Sequence, residues 1–254
     1  MRLSRSAIHR AVTGMGLVAG AGAARGAMFT YDLRFEDGSH TAIAVPGNSY
    51  TVDVWGVVTG TNGTTIDDGI QDHYLNIRST QIGGGRIAFG GITSLAVKPE
   101  FQSWSGTAAL FRNGGGADLN GDGVVDWGSS SAAIADTNYA MARAGSTVYG
   151  GGTVGQSINA NSWEFKIASF LVSAQTVAGE GSTTFNIVKP AATSGAAVYY
   201  AVTRIDGASM NVSNVNQQGA FTSATGVTFV PEPASGGVLA ASAIALFGRR
   251  RSRN

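Results

Sequence analysis

The feature that most constrains this chain is a period-two alternation of apolar and polar side chains, repeated over many short segments. That is the period of a strand with one buried face. In FTYDLRFE, Phe29, Tyr31, Leu33 and Phe35 fall on one side and Thr30, Asp32, Arg34 and Glu36 on the other. In YTVDVWGVV the buried row is Tyr50, Val52, Val54 and Val58, and in WEFKIASF it is Trp163, Phe165 and Ile167, opposite Glu164 and Lys166. Phe185 and Ile187, then Val198, Tyr200 and Val202, then Val227 and Phe229 repeat the pattern. Turn formers separate the segments: Glu36-Asp37-Gly38, Pro46-Gly47-Asn48, Asn62-Gly63 and Asp206-Gly207. Closely spaced strands with turns between them predict an all-β fold, an antiparallel β-sandwich rather than βαβ units.

The chain has no cysteine, so disulfides, thiolate metal sites and thiol catalysis are excluded. Its formal charge is +1, but eight of its 17 basic residues and only one acid, Glu232, lie in residues 1–27 and 231–254. The middle therefore carries 9 basic and 15 acidic residues. An acidic middle argues against nucleic acid or anionic lipid as its partner.

The two ends differ from the middle. At the N-terminus Arg2, Arg5 and Arg10 precede the uncharged AVTGMGLVAGAGAA, which reads as a cleavable signal peptide over residues 1–27 with a signal helix. The alternative, a buried N-terminal helix, is disfavoured by the density of glycine there. Residues 230–254 read VPEPASGGVLAASAIALFGRRRSRN. The prolines stiffen the stretch and make it poor at joining a sheet. The apolar run over residues 234–247 would rise roughly 21 Å as a helix, short of a ~30 Å hydrocarbon core. Arg249, Arg250, Arg251 and Arg253 then form a cationic stop.

This order of parts, with Pro231, Glu232 and Pro233 ahead of an apolar helix and an arginine cluster, resembles the PEP-CTERM sorting signal of exported bacterial proteins. The resemblance implies export, an exosortase-type transpeptidase as partner, and membrane association through the C-terminal segment before processing. Two stretches, PGNSYTVDVWGVVTG and KIASFLVSAQTVAGEGSTTFNIV, are similar to cohesin-like secreted sandwiches, which implies the same fold. The expected organisation is a signal peptide (1–27), a sandwich domain (28–229) and a sorting segment (230–254). Residues 112–160 form a Gly-rich insertion read as loops around one local site.

That insertion holds DLNGDGVVD, residues 118–126. Ca²⁺ takes six to eight oxygen ligands, and a tight loop supplies them from alternate positions. Asp118, Asn120 and Asp122, the Val124 carbonyl and Asp126 have that spacing, with Gly123 at the turn. The pattern resembles the calcium loop of EF-hands and dockerin repeats, which implies a structural Ca²⁺. Residues 129–145, alanine-rich and ending at Gly145, would be the exiting helix. Two features depart from the family: Ser129 stands where a bidentate acid belongs, and there is one loop where dockerins have two. The alternative is an Asp/Asn/Gly turn cluster without metal.

A second acidic stretch, IDDGIQDH, places Asp67, Asp68 and Asp72 beside His73; it is either a metal or acid/base site, or a solvated turn. Catalytic patterns are sparse. Beyond His9 the only histidines are His40 and His73, there is no G-x-S-x-G elbow, and GGGTVG (150–155) opens no amphipathic helix. Trp55, Trp104, Trp127 and Tyr199 could stack on sugars, or simply pack. The expectation is a non-enzymatic envelope or extracellular-matrix protein, structural, adhesive or polysaccharide-associated. The alternative is a secreted carbohydrate-active enzyme using Asp67, Asp68, Asp72 or Glu100, or a calcium-dependent carbohydrate-binding module.

Overall fold

Pairing of the alternating segments through main-chain hydrogen bonds gives an all-β protein. The computed structural model describes residues 27–82, 87–101, 112–113, 115–128, 140–150, 155–177, 181–188, 201–212 and 226–231. The first strands are β1 (Met28–Phe35), β2 (Thr41–Ala44), β3 (Ser49–Thr59), β4 (Gly69–Ile82) and β5 (Ile87–Val97). Short strands follow: β6 (Arg112–Asn113), β7 (Gly116–Ala117) and β8 (Asp126–Trp127). Then come β9 (Ala140–Tyr149), β10 (Gly155–Asn159), β11 (Ser162–Val177) and β12 (Ser182–Val188). The last are β13 (Ala201–Ile205), β14 (Ala208–Val212) and β15 (Val227–Pro231). Among the described residues the sole helical element is a 3-10 turn, Pro99–Phe101, and no helix is long and apolar enough to cross a membrane.

One sheet has the order β1-β3-β11-β10, with β5 also paired to β11. The other runs β14-β13-β4-β12-β15-β2, and β6 to β9 attach through β4. β4 is its hub, paired with β13 and β9 along its first half and with β12 and β8 along its second. The inward rows of both sheets share one core: Phe35 meets Phe229 edge-on at 5.1 Å, Tyr50 meets Phe229 at 5.3 Å, and Phe170 lies 6.2 Å from Phe185. Each fully buried aromatic of this kind stabilises the fold by roughly 1.5–3 kcal/mol over leaving it exposed.

Several expectations need correction. The alanine-rich segment continues as strand β9 from Ala140, so residues 140–145 are not helical; residues 129–139, with Ser129 and Asp136, lie outside the described residues. Cross-strand pairing with β4, from Leu75↔Ala140 to Gly69↔Tyr149, outweighs the weak helix propensity of a short alanine run. The Gly-rich region is not only loops, since β6 to β10 lie within it and pair into both sheets.

Nor is the pairing wholly antiparallel, because β15 runs parallel to β2. Its last pair is Pro231↔Ala44, so the first proline of Pro-Glu-Pro joins the sheet and the folded part extends past residue 229. β12 pairs β15 only as far as Phe229. Pro231 therefore sits on an edge, where a missing amide is tolerated. In β13 the buried row is Ala201, Thr203 and Ile205, while Val202 is half-buried: the face is shifted by one residue from the expected one. The signal helix, the C-terminal helix with Glu232, Pro233 and Arg249 to Arg251, and Trp104 and Tyr199 lie outside the described residues.

Candidate metal centre

The loop at residues 118–126 folds through its own acidic side chains. Asp118 Oδ1 accepts from the amides of Gly121 (2.7 Å) and Asp122 (3.2 Å), and its Oδ2 from that of Gly123 (3.0 Å). Asn120 Oδ1 accepts from the Asp122 amide (3.1 Å), and Asp122 Oδ1 from that of Val124 (2.9 Å). These are overlapping Asx turns, the local structure that Asp and Asn side chains favour. Desolvation works against the Asp118 charge, but the Gly123, Gly121 and Asp122 amides outweigh it and hold the carboxyl below the usual carboxylate range.

The loop is seated on β4 and β5. Asn120 Nδ2 donates to the Ser79 carbonyl at 2.7 Å, and the Ser79 hydroxyl lies 3.0 Å from Asp122 Oδ2. The Ile92 amide donates to the Val125 carbonyl at 2.8 Å, and the Val124 side chain is buried in the core. Gly91 makes this approach possible: its φ is +76°, and a Cβ there would run into the Val125 backbone.

Asp126 faces inward. It is fully buried; its Oδ1 accepts from the Ser79 amide and hydroxyl, and its Oδ2 from the Leu119 amide at 3.0 Å. Burial pushes its carboxyl up, against the Ser79 hydrogen bonds, with the Asp122 charge acting the same way as burial. Asp118, Asn120 and Asp122 thus lie on the outer part of the loop, whereas Asp126 ties the loop to β4. Hard cations take carboxylate, amide and carbonyl oxygens, the set that Asp118, Asn120, Asp122 and the Val124 carbonyl carry. Among the described residues no three His, Asp or Glu side chains stand as a ready-made metal-ligand group.

The second acidic stretch divides. Asp67 and Asp68 lie in the connection before β4 and meet Asp206, from the β13–β14 turn: the Asp206 amide donates to Asp68 Oδ1 at 2.8 Å. Asp72 is four residues beyond Asp68, roughly 13 Å along an extended chain, and is buried within β4. His73 is fully buried, meets Phe101 edge-on at 5.4 Å, and has no hydrogen-bond partner at either ring nitrogen. Burial lowers its pKa to about 3. A neutral, core-packed imidazole is a poor proton shuttle near neutrality. Glu100 is exposed in the 3-10 turn.

The outer face of the first sheet carries a polar network. Arg34 bonds to Asp32 and, at 2.6 Å, to Glu164, and its guanidinium lies 5.1 Å from the Trp55 ring centroid. His40 Nε2 is 2.8 Å from Asp32, and Gln156 donates to Glu164. Trp55 is half-buried beneath this network, and Trp127 is half-buried beside the loop on β8.

Sequence reasoning missed Ser79, Gly91 and Asp206 as site residues. Ser79 carries no local signal, being one polar residue in a strand. Asp206 reads locally as a turn former, and nothing near it in sequence marks its meeting with Asp68. Compared with known proteins, the chain matches no family model, no curated protein and no solved structure.

Proposed function

We propose that this chain is an exported, non-enzymatic protein of the cell envelope or extracellular matrix, structural, adhesive or polysaccharide-associated, delivered by a PEP-CTERM signal and processed by an exosortase-type enzyme. One observation carries the reading: among the described residues the last strand, β15, reaches Pro231, the first residue of Pro-Glu-Pro. Processing at or just after the motif leaves β15 whole and paired to both β12 and β2. The segment that follows is read as an address or a temporary membrane anchor.

In this reading the two sheets form a β-sandwich, which the aromatic contacts of Phe35 and Phe170 with Phe229 and Phe185 favour. Asp118, Asn120, Asp122 and the Val124 carbonyl hold a structural Ca²⁺, while Asp126 keeps the loop on β4. The cation clamps a loop of the glycine-rich segment.

Mass spectrometry of the native protein from membrane and medium, paired with sedimentation against envelope polysaccharide, tests this. The expected result is an N-terminus between residues 23 and 28, a C-terminus near Pro233, and polysaccharide binding or self-association without turnover. A protein that keeps Met1 and Asn254 in every fraction and neither binds nor self-associates overturns it.

A further inference from the structure

The loop of residues 60–68, the β13–β14 turn and the end of β9 meet at one end of the second sheet. Asp206 and Gly207 are the two turn residues between Ile205 and Ala208, with φ of 50° and 74°. That is the two-residue hairpin for which Asp-Gly is favoured. The turn carries Asp206 to within bonding distance of the 60–68 loop. Its Oδ1 accepts from the Thr61 (2.7 Å) and Asn62 (3.2 Å) amides, and its Oδ2 from the Thr61 hydroxyl (2.6 Å).

Three carboxylates are then neighbours without a counter-charge. Asp68 is fully buried and its Oδ2 has no hydrogen-bond partner; Oδ1 of the half-buried Asp67 is likewise buried and unpartnered. Above Gly60 two of the carboxylates converge, because a Cβ there would lie 2.5 Å from Asp68 Oδ2 and 2.7 Å from Asp206 Oδ1. No ion pair among the described residues involves Asp67, Asp68 or Asp206. The neighbouring base, Arg204, turns instead to the Gly207 carbonyl at 2.9 Å. A buried carboxylate oxygen with neither donor nor cation is costly, so something must satisfy it.

We propose that Asp67, Asp68 and Asp206 form a divalent-cation site of calcium type, separate from the 118–126 loop. A proton shared between Asp68 and a neighbouring carboxylate is the competing solution, and it predicts no response to calcium. A hard cation at the convergence above Gly60 engages the orphan Asp68 Oδ2, and Asp206 Oδ1 keeps a lone pair beyond the hydrogen bonds it accepts. Asp67 Oδ2 accepts from Asn62 Nδ2 at 2.8 Å and the three side chains do not stand as a ready-made ligand group, so binding requires them to close in and leaves room for water. Burial, together with the Asp67 and Asp206 charges, raises the Asp68 carboxyl, and neutralising the group from outside relieves that repulsion. The Thr61 and Asn62 donors outweigh burial at Asp206 and hold it below the usual carboxylate range, so the site keeps negative charge near neutrality.

The test uses the full chain carrying Asp118→Ala, which removes the first ligand of the calcium loop proposed above, compared with the same chain also carrying Asp68→Asn. Calcium chloride is titrated by calorimetry after chelation, and melting curves are recorded with calcium and with chelator. The Asp118→Ala chain is expected to bind one Ca²⁺ and melt higher in its presence. Asp68→Asn is expected to weaken binding at least ~10-fold and abolish the melting shift, as an isosteric loss of one charged ligand should. Should Asp68→Asn not fold, Asp206→Asn, which still fits a left-handed turn, gives the same reading. Equal calcium binding with and without these substitutions overturns the proposal. So does an Asp118→Ala chain without calcium response whose Asp68→Asn form melts higher, because a shared proton then satisfies the cluster.

Discussion

The amide and the hydroxyl of Ser79 both close on Asp126 Oδ1, at 2.6 and 2.7 Å. This carboxylate, 47 residues along the chain, joins the Asn120–Ser79 and Ile92–Val125 bonds in seating the 118–126 loop on β4 and β5. Ser79→Ala keeps the amide bond and loses the hydroxyl, and is expected to cost roughly 1.5–3 kcal/mol, the range for a hydrogen bond to a charged group. Asp126→Ala strands the Ser79 and Leu119 amides as well and should cost more. Urea denaturation in chelator measures both, and an Asp126→Ala protein as stable as the parent would remove Asp126 from its structural role.

Asp118 combines two tasks in the proposed calcium loop: it collects three loop amides and supplies the first ligand. Asp118→Ala should lower the melting temperature modestly in chelator. Its larger effect should be to erase the part of the calcium-dependent rise that comes from the loop. Identical calcium shifts in parent and variant would count against calcium in this loop.

Gly91 permits the contact between β5 and the loop backbone. With φ at +76° and the Val125 backbone over its Cα, Gly91→Ala meets both dihedral strain and a main-chain clash. Each effect is typically worth about 1–3 kcal/mol, so a loss of roughly 2–6 kcal/mol is expected. Gly38→Ala, also at positive φ but with open space around the Cβ, should cost clearly less. Comparable losses in chemical denaturation would mean that strain alone, and not the Val125 approach, demands the glycine.

His73 predicts acid sensitivity. Its pKa is lowered by burial to about 3, below the ordinary histidine value of 6.5, so the unfolded chain takes up a proton that the folded chain refuses. This contribution to stability is complete above about pH 6.5 and is lost by up to ~1.4 kcal/mol per pH unit as pH falls toward 3. Between pH 7 and pH 5 the parent should lose about 2 kcal/mol from this residue, and His73→Phe should flatten that part of the profile. Parallel pH profiles for parent and variant would show that the imidazole is protonated in the fold.

Much of the fold was legible because alternation is a local signal. Phe29, Tyr31, Leu33 and Phe35 are all buried as the FTYDLRFE pattern requires, and the Asp206-Gly207 turn falls where the dipeptide predicts. The Asx turns of residues 118–126 were legible for the same reason, since each hydrogen bond spans only two to five residues.

What failed to read locally depends on partners distant in sequence. Ala140 to Gly145 looked helical in isolation, but β4 offered a ladder of main-chain bonds that a short alanine run cannot match by itself. Pro231 looked like a break, but at the end of β15 its one pairing among the described residues is with β2, and no amide is needed on the other side. The sequence alone determined the all-β class, the turns and the loop that folds on its own carboxylates, because those follow from side-chain period and short-range bonding. Tertiary structure alone decided that Asp206 would meet Asp68 across 138 residues, and that Asp126 would turn inward to Ser79 rather than outward. Those choices turn on which strands pair, and pairing is settled by burial and hydrogen bonding summed over both sheets rather than by any neighbour in the chain.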